Sequence, residues 1–194
     1  AEPLLVEAVE TLARFFPRGH FDTTRALSAL ASVRIRLGRT EEGEAAFAKL
    51  TEILERLEPG NFRAAVESAL LLANTLVDSG QPDAAQPHFE RALAISRRIA
   101  PRDDMLVADT LNEVGVFFWS RGRLDRSIPL FEEGLALRDA AGGRQDPSAI
   151  LAVGNLGINY LAAGRLDEAL PLLEDAYERS RQLSDRGPCA QYLL

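Results

Sequence analysis

The side chains that most often do chemistry are few in this 194-residue chain and poorly placed for it. There are two histidines, His20 and His88, and one cysteine, Cys189. A single cysteine excludes an intrachain disulfide, and two distant histidines exclude a histidine-rich metal site or a catalytic network built on several imidazoles. Cys189 follows Pro188 with no base near it in sequence and reads as an ordinary thiol. His20 has no cysteine or histidine close by, and His88 falls in a position otherwise held by Ala46, Leu130 and Leu172, which suits a partly packed ring. No Gly-rich phosphate loop, His-Glu-x-x-His, Gly-x-Ser-x-Gly or calcium loop occurs. The carboxylates are numerous, but no spacing singles out an acid and a base. The expectation is a non-catalytic chain with no cofactor and no metal.

The remaining chemistry is recognition. Trp119, flanked by Phe117 and Phe118, offers a large contact area at low entropic cost. Its alternative role is packing on a neighbouring helix, in a column shared with Ile35, Val77 and Leu161. Asn112, Asn155 and Asn159 have no apolar role, so their amides serve either a ligand or solvent. Glu67, Asp78, Asp109 and Glu113 suit a basic segment, or form a solvated face. The net charge of −7 argues against a general nucleic-acid binder and favours a partner with basic residues. No apolar run approaches the roughly 20 residues of a membrane span, and no signal peptide opens the chain, so a cytoplasmic protein is expected. Lys49 is the one lysine among 22 basic residues, a bias of composition and not of chemistry.

What must position these residues is a repeat. Gly38, Gly80, Gly122 and Gly164 recur every 42 residues. An acid stands three positions after each glycine (Glu41, Asp83, Asp125, Asp167) and a small residue five after (Gly43, Ala85, Ser127, Ala169). Seven after come Ala45, Pro87, Pro129 and Pro171, and nine after come Phe47, Phe89, Phe131 and Leu173. Seven before stand Ala31, Ala73, Gly115 and Gly157. Apolar residues on both sides recur at three- and four-residue steps, which predicts two antiparallel amphipathic helices per repeat. The small columns mark where their axes approach closely. Each glycine is expected to end the first helix in the left-handed conformation, and the following acid to cap the second. That places the proline column at the fourth helical position. Pro17, Pro59 and Pro101, with Gly19, Asn61 or Asp103 after them, separate the repeats, and the segment from Ala141 to Pro147 does the same at the fourth junction. Hairpins of this kind stack into a solenoid, because none buries its apolar face alone.

The run Leu156, Gly157, Tyr160, Gly164, Ala169, Leu173, Ala176 resembles the tetratricopeptide repeat, as does Val114, Gly115, Phe118, Gly122, Ser127, Phe131, Gly134. The usual repeat is about 34 residues. The period of 42 with its proline is similar to the longer variety of kinesin light chain and many bacterial signalling proteins. Arg34 in the aromatic column and Gly43 in the small one make the first repeat the most divergent. The resemblance implies an all-α, right-handed superhelical solenoid of antiparallel helix pairs. It also implies a protein or peptide partner held along a concave groove by the first helix of each pair.

The groove-facing columns are then those thirteen, ten, nine, six, three and two before each glycine. They give Arg25, Ser28, Ser32, Ile35 and Arg36; Glu67, Leu70, Leu71, Asn74 and Asp78; Asp109, Asn112, Glu113, Val116, Trp119 and Ser120; and Leu151, Asn155, Ile158 and Leu161. Asn159 joins them as a candidate contact. The groove is expected to be basic at its start, acidic in the middle and apolar with asparagine at its end. It lacks the lysines with which chaperone-binding members grip a terminal carboxylate, and of the paired asparagines of the kinesin-light-chain type only Asn112 and Asn155 survive.

Carried back one period, the pattern makes residues 1–16 the second helix of a truncated repeat. Four repeats follow, over 22–58, 62–100, 103–141 and 147–184, and 188–194 starts a further helix. The expectation is one solenoid segment of a longer array, a scaffold within a larger, bacterial-style protein. The alternative is a sensor that binds a signalling peptide and switches an attached kinase or transcription regulator. Self-association through the solenoid ends is a further possibility.

Overall fold

A computed structural model of the chain describes residues 2–16, 20–57, 62–98, 103–141 and 147–184, and these form nine α-helices and no strand. In order they are α1 (Glu2–Phe15), α2 (Phe21–Arg36), α3 (Thr40–Leu57), α4 (Phe62–Asp78) and α5 (Pro82–Arg97), then α6 (Asp104–Ser120), α7 (Leu124–Ala140), α8 (Pro147–Ala162) and α9 (Leu166–Ser184). Two compact units result, Ala1–Arg98 and Ile99–Leu194. In the first, α2 pairs with α3 and α4 with α5, α1 packs on α2, and α2 lies against α4. In the second, α6 pairs with α7 and α8 with α9, and α6 lies against α8. Pro17, Gly19, Pro59, Asn61, Pro101, Gly142, Gly143, Cys189 and the further helix expected over 188–194 lie outside the described residues.

Each hairpin turns on its glycine. Gly38, Gly80, Gly122 and Gly164 have φ of 77°, 75°, 69° and 74°. A Cβ there would meet nothing within 4 Å, so the requirement is conformational and not steric. The amide of Gly122 donates to the Trp119 carbonyl at 2.8 Å and that of Arg123 to the Phe118 carbonyl at 2.9 Å. The same two bonds recur at the other three glycines, satisfying carbonyls that a helix end leaves unpaired.

The second helices begin differently from expectation. The acids Glu41, Asp83, Asp125 and Asp167 are not caps; each is the second residue of its helix, where it meets the positive helix end. Gln81 and Arg123 stand at the cap positions of α5 and α7 without a side-chain cap bond. The prolines consequently occupy the sixth position, not the fourth, and each removes an N–H after the ladder has begun. In three of the four repeats the residue after the glycine is an arginine that bonds an acid in the first turn of the second helix. Arg39 clamps Glu42 at 2.7 and 2.5 Å, Arg123 clamps Asp125 at 3.1 Å through two nitrogens, and Arg165 clamps Glu168. These hydrogen bonds hold Glu42, Asp125 and Glu168 below the usual carboxylate range.

Close approach of the paired helices rests on the small columns. Ala31, Ala73, Ala85, Ser127 and Ala169 are buried completely or nearly so. A Cβ on Gly115 would sit 2.9 Å from the Phe131 ring, and one on Gly157 2.9 Å from Leu173. Gly43 is a special case: a Cβ would come within 2.5 Å of Ile35 and 2.9 Å of the Ala31 carbonyl, so the bulk of Ile35 accounts for glycine in a column held elsewhere by alanine or serine. Arg34, the other departure of the first repeat, bonds Glu2 of α1 at 3.2 Å and lies 3.8 Å from Glu42. It ties α1 to the hairpin at a position held by an aromatic ring in the third and fourth repeats.

In the second unit that aromatic column carries Phe118 and Tyr160, capped by Arg126 and Arg165 at 4.3 and 4.1 Å from the ring centroids. Tyr160 donates to Glu132 at 2.6 Å and belongs to a core cluster with Ile128, Phe131, Leu156 and Ala169. Burial, and then the bond to Glu132, push its phenol up to about 12.

Two outcomes follow. Gly122→Ala should lower stability to urea by about 1–2 kcal/mol, whereas Gly122→Asn, which tolerates a left-handed backbone, should lose less. For Tyr160, the neutral phenol is favoured in the fold, so its contribution is complete below pH 10 and disappears as pH rises from about 10 to 12. Urea unfolding across that range should show the alkaline loss in the wild type and a smaller one in Tyr160→Phe.

Candidate functional site

Four first helices, α2, α4, α6 and α8, carry the columns singled out above, and their exposure separates surface from core. The columns thirteen, nine, six and two before each glycine are exposed or half-buried throughout the described repeats. The column ten before is half-buried at Ser28, Asn112 and Gly154 and buried at Leu70. Two expected groove residues are therefore core: Ile35 packs towards Gly43, and Leu70 is 8% exposed.

In the first unit, α2, α3 and α4 enclose an open recess of about 510 Å³. Leu50 and Leu54 of α3 contribute apolar surface, Ser28 and Ser32 line the α2 side, and Leu71 the α4 side. Arg25 and Glu67 line the same recess with opposite charge. Their ion pairs are loose, 3.8 Å from Arg25 to Asp22 and 3.8 Å from Glu67 to Arg63, and all four side chains are more than half exposed. Asn74 and Asp78 are exposed further along α4.

The second unit presents a different surface. Val116, Trp119, Leu151, Ile158 and Leu161 are between 40% and 50% exposed, on columns that face outward together on α6 and α8. Trp119 is 41% exposed, while Phe118 beside it is buried in the core. Between these residues the Asn155 amide donates to Asn112 Oδ1 at 2.9 Å. This rung leaves Asn112 Nδ2 and Asn155 Oδ1 uncommitted among the described residues.

Asn159 does not belong to this surface. It is 2% exposed, donating to the Asn155 carbonyl at 2.8 Å and accepting from the Ser127 hydroxyl at 2.5 Å. Both its hydrogen-bonding ends are therefore spent inside the second unit, one on α8 itself and one on α7 of the preceding hairpin. Asp109 is on the surface but is not a bare charge: it accepts from Arg138, an α7 side chain only 3% exposed that also reaches Ser148 at 2.6 Å. Glu113 is exposed and also engaged. The acidic middle expected from sequence is correspondingly weaker.

Sequence reasoning missed the second helices' share. The column sixteen after the glycine, Leu54, Ser96, Arg138 and Ser180, supplies Leu54 to the recess of the first unit and Arg138 to the ion pair of the second. Ser180 and Tyr177 line a smaller recess of about 240 Å³ with Leu151, Asn155 and Ile158. The mixed character of that column, in an otherwise regular pattern, was the available signal. His20, by contrast, has a local role: its Nδ1 accepts from the Asp22 amide at 3.2 Å and caps α2, and its ring stacks on Phe16. No group of three or more potential metal ligands occurs among the described residues, and no described helix is long and apolar enough to cross a membrane.

Comparison with known proteins agrees with this geometry. No curated protein matches the chain. Among solved structures it is similar to BtubC (BKLC) from P. vanneervenii, with 21% identity, a TM-score of 0.73, and 93% of this chain and 72% of that one covered. It is also similar to a putative kinesin light chain with TPR-like repeats from Podosopora anserina, at 19% identity and a TM-score of 0.70, covering 95% and 87%. A Rap protein solved with competence and sporulation factor is similar at 20% identity and a TM-score of 0.61, covering 85% of this chain and 44% of that one. These likenesses establish the fold as an all-α solenoid of antiparallel helix pairs. The tetratricopeptide repeat family model matches residues 22–98 and 106–182. With both hairpins of each unit inside the matched stretches, this chain belongs to the tetratricopeptide repeat family.

Proposed function

We propose that the chain is a non-catalytic protein-interaction module that holds a partner segment on the first-helix faces of its repeats, as part of a larger protein. The observation that carries this is the surface of the second unit. Five large apolar side chains stand 40–50% exposed on adjoining columns around an asparagine rung, and the hairpin core is complete without them. Apolar side chains grouped in this way mark a contact surface more often than an accident of composition. The rung adds one donor and one acceptor, the complement of a peptide group.

The expected preference for basic residues is redistributed. Asp109 is balanced by Arg138, so the second unit favours apolar side chains, and recognition of basic residues falls to Glu67 and Asp78 in the first. Among the fold's relatives, the Rap protein was solved with competence and sporulation factor, and YrrB is described as having an unusual peptide-binding site. The first supports a second reading, in which a signalling peptide bound here switches an attached effector. A scaffold keeps one curvature with and without its partner and a sensor changes it, a difference that small-angle scattering resolves.

Peptides selected by display against the protein provide the test. Trp119→Ala and Ile158→Ser should each weaken the selected peptides by about tenfold or more, and Glu174→Ala on α9 should not. Equal binding by all three variants would remove the proposal. Asp109→Ala should cost stability, about 2 kcal/mol in urea unfolding, because it strands a buried guanidinium, while changing peptide affinity little.

A further inference from the structure

The two units contain the same junction, where the second helix of one hairpin meets both helices of the next, and they fill it differently. In the second unit α7, α8 and α9 close it with Ile128, Leu135 and Leu172 around Phe131 and Leu156. At the equivalent positions of the first unit, counted from Gly38 and Gly80, stand Glu44, Thr51 and His88 around Phe47 and Leu72. Instead of a filled core there is a cavity of about 220 Å³ between α3, α4 and α5.

Polar side chains from three helices line it. His88 Nε2 lies 3.4 Å from Glu44 Oε1, with side chains 22% and 39% exposed. Arg91, an exposed side chain of α5, lines the cavity as well. Ser68 lines it also and is 8% exposed. Phe47 and Leu72 supply the apolar wall.

A cation, an anion and an apolar wall around one small cavity have a matching ligand chemistry. We infer that this cavity binds a small free α-amino acid with an aliphatic side chain, at a site separate from the first-helix faces. The Arg91 guanidinium takes the carboxylate, Glu44 takes the ammonium, Ser68 supplies a further polar contact, and the aliphatic group lies against Phe47 and Leu72. His88 holds Glu44 in place from α5.

The chain has two histidines, so NMR of the imidazole protons reads the site directly, with His20 as an internal control. Titration of the whole chain with L-valine at millimolar concentration should move the His88 resonance saturably and leave His20 still. L-valinamide, which lacks the carboxylate, and isovalerate, which lacks the ammonium, should bind about tenfold more weakly or not at all, and Arg91→Ala should weaken L-valine to the same degree. A triple variant that copies the second unit, Glu44→Ile with Thr51→Leu and His88→Leu, should remain helical, unfold at a higher temperature and lose the rise in Tm that L-valine gives the wild type. Peptide binding at the first-helix faces should survive in both variants, so this site and the proposed function stand or fall separately. An unmoved His88 with all three probes overturns the inference and leaves a cavity that holds only water. Isovalerate binding as well as L-valine, unchanged L-valine binding by Arg91→Ala, or an L-valine response that persists in the filled variant also overturns it.

Discussion

Close approach of two antiparallel helices is the constraint on which the other features depend. It requires a residue without bulk at two heights of every hairpin, and Ala31, Ala73, Gly115 and Gly157 meet it on the first helices while Gly43, Ala85, Ser127 and Ala169 meet it on the second. Once the axes are close, the large residue nine after the glycine has one place to go, the groove beside the small column, where Phe131 comes within 3 Å of the position a Cβ on Gly115 would take. Side chains there interdigitate at interior density, so the geometry tolerates little change in volume. Ile35 illustrates the reciprocity: it enlarges one side of its hairpin, and Gly43 yields on the other.

That packing leaves the first-helix columns out of the hairpin core, available for partners. The two units use them differently. In the first, opposite charges and serine line an open recess; in the second, apolar side chains surround an amide rung. Beneath the rung, Ser127 donates to Asn159 and Asn159 to the Asn155 backbone carbonyl, while the Asn155 side-chain amide donates to Asn112. Arg138 acts on charge, cancelling Asp109 from beneath.

The fold was legible in the sequence because its determinants are local and periodic: a glycine that must take positive φ, and small and large residues at helical spacing around it. The turn chemistry was less so. Placing the acid as a cap starts each second helix two residues too late, since the residue directly after the glycine already stands at the helix boundary, and the arginine clamps on Glu42, Asp125 and Glu168 follow from that geometry. At the candidate site, column position located Trp119, Asn112 and Asn155 on a surface but could not separate Asn155 from Asn159, four residues and one turn apart, one half-buried and one in the core. Nor could it find Arg138, since a side chain reaching across from a second helix leaves no mark on the first-helix pattern.

The central claim is that partners are held on first helices while second helices serve the scaffold. Hydrogen exchange measured with and without a display-selected peptide tests it most directly, because the readout is assigned to helices independently of any substitution. The account predicts that bound peptide slows exchange in α6 and α8, or in α2 and α4, with little change in α7 and α9 or in α3 and α5. Protection confined to the second helices would contradict it.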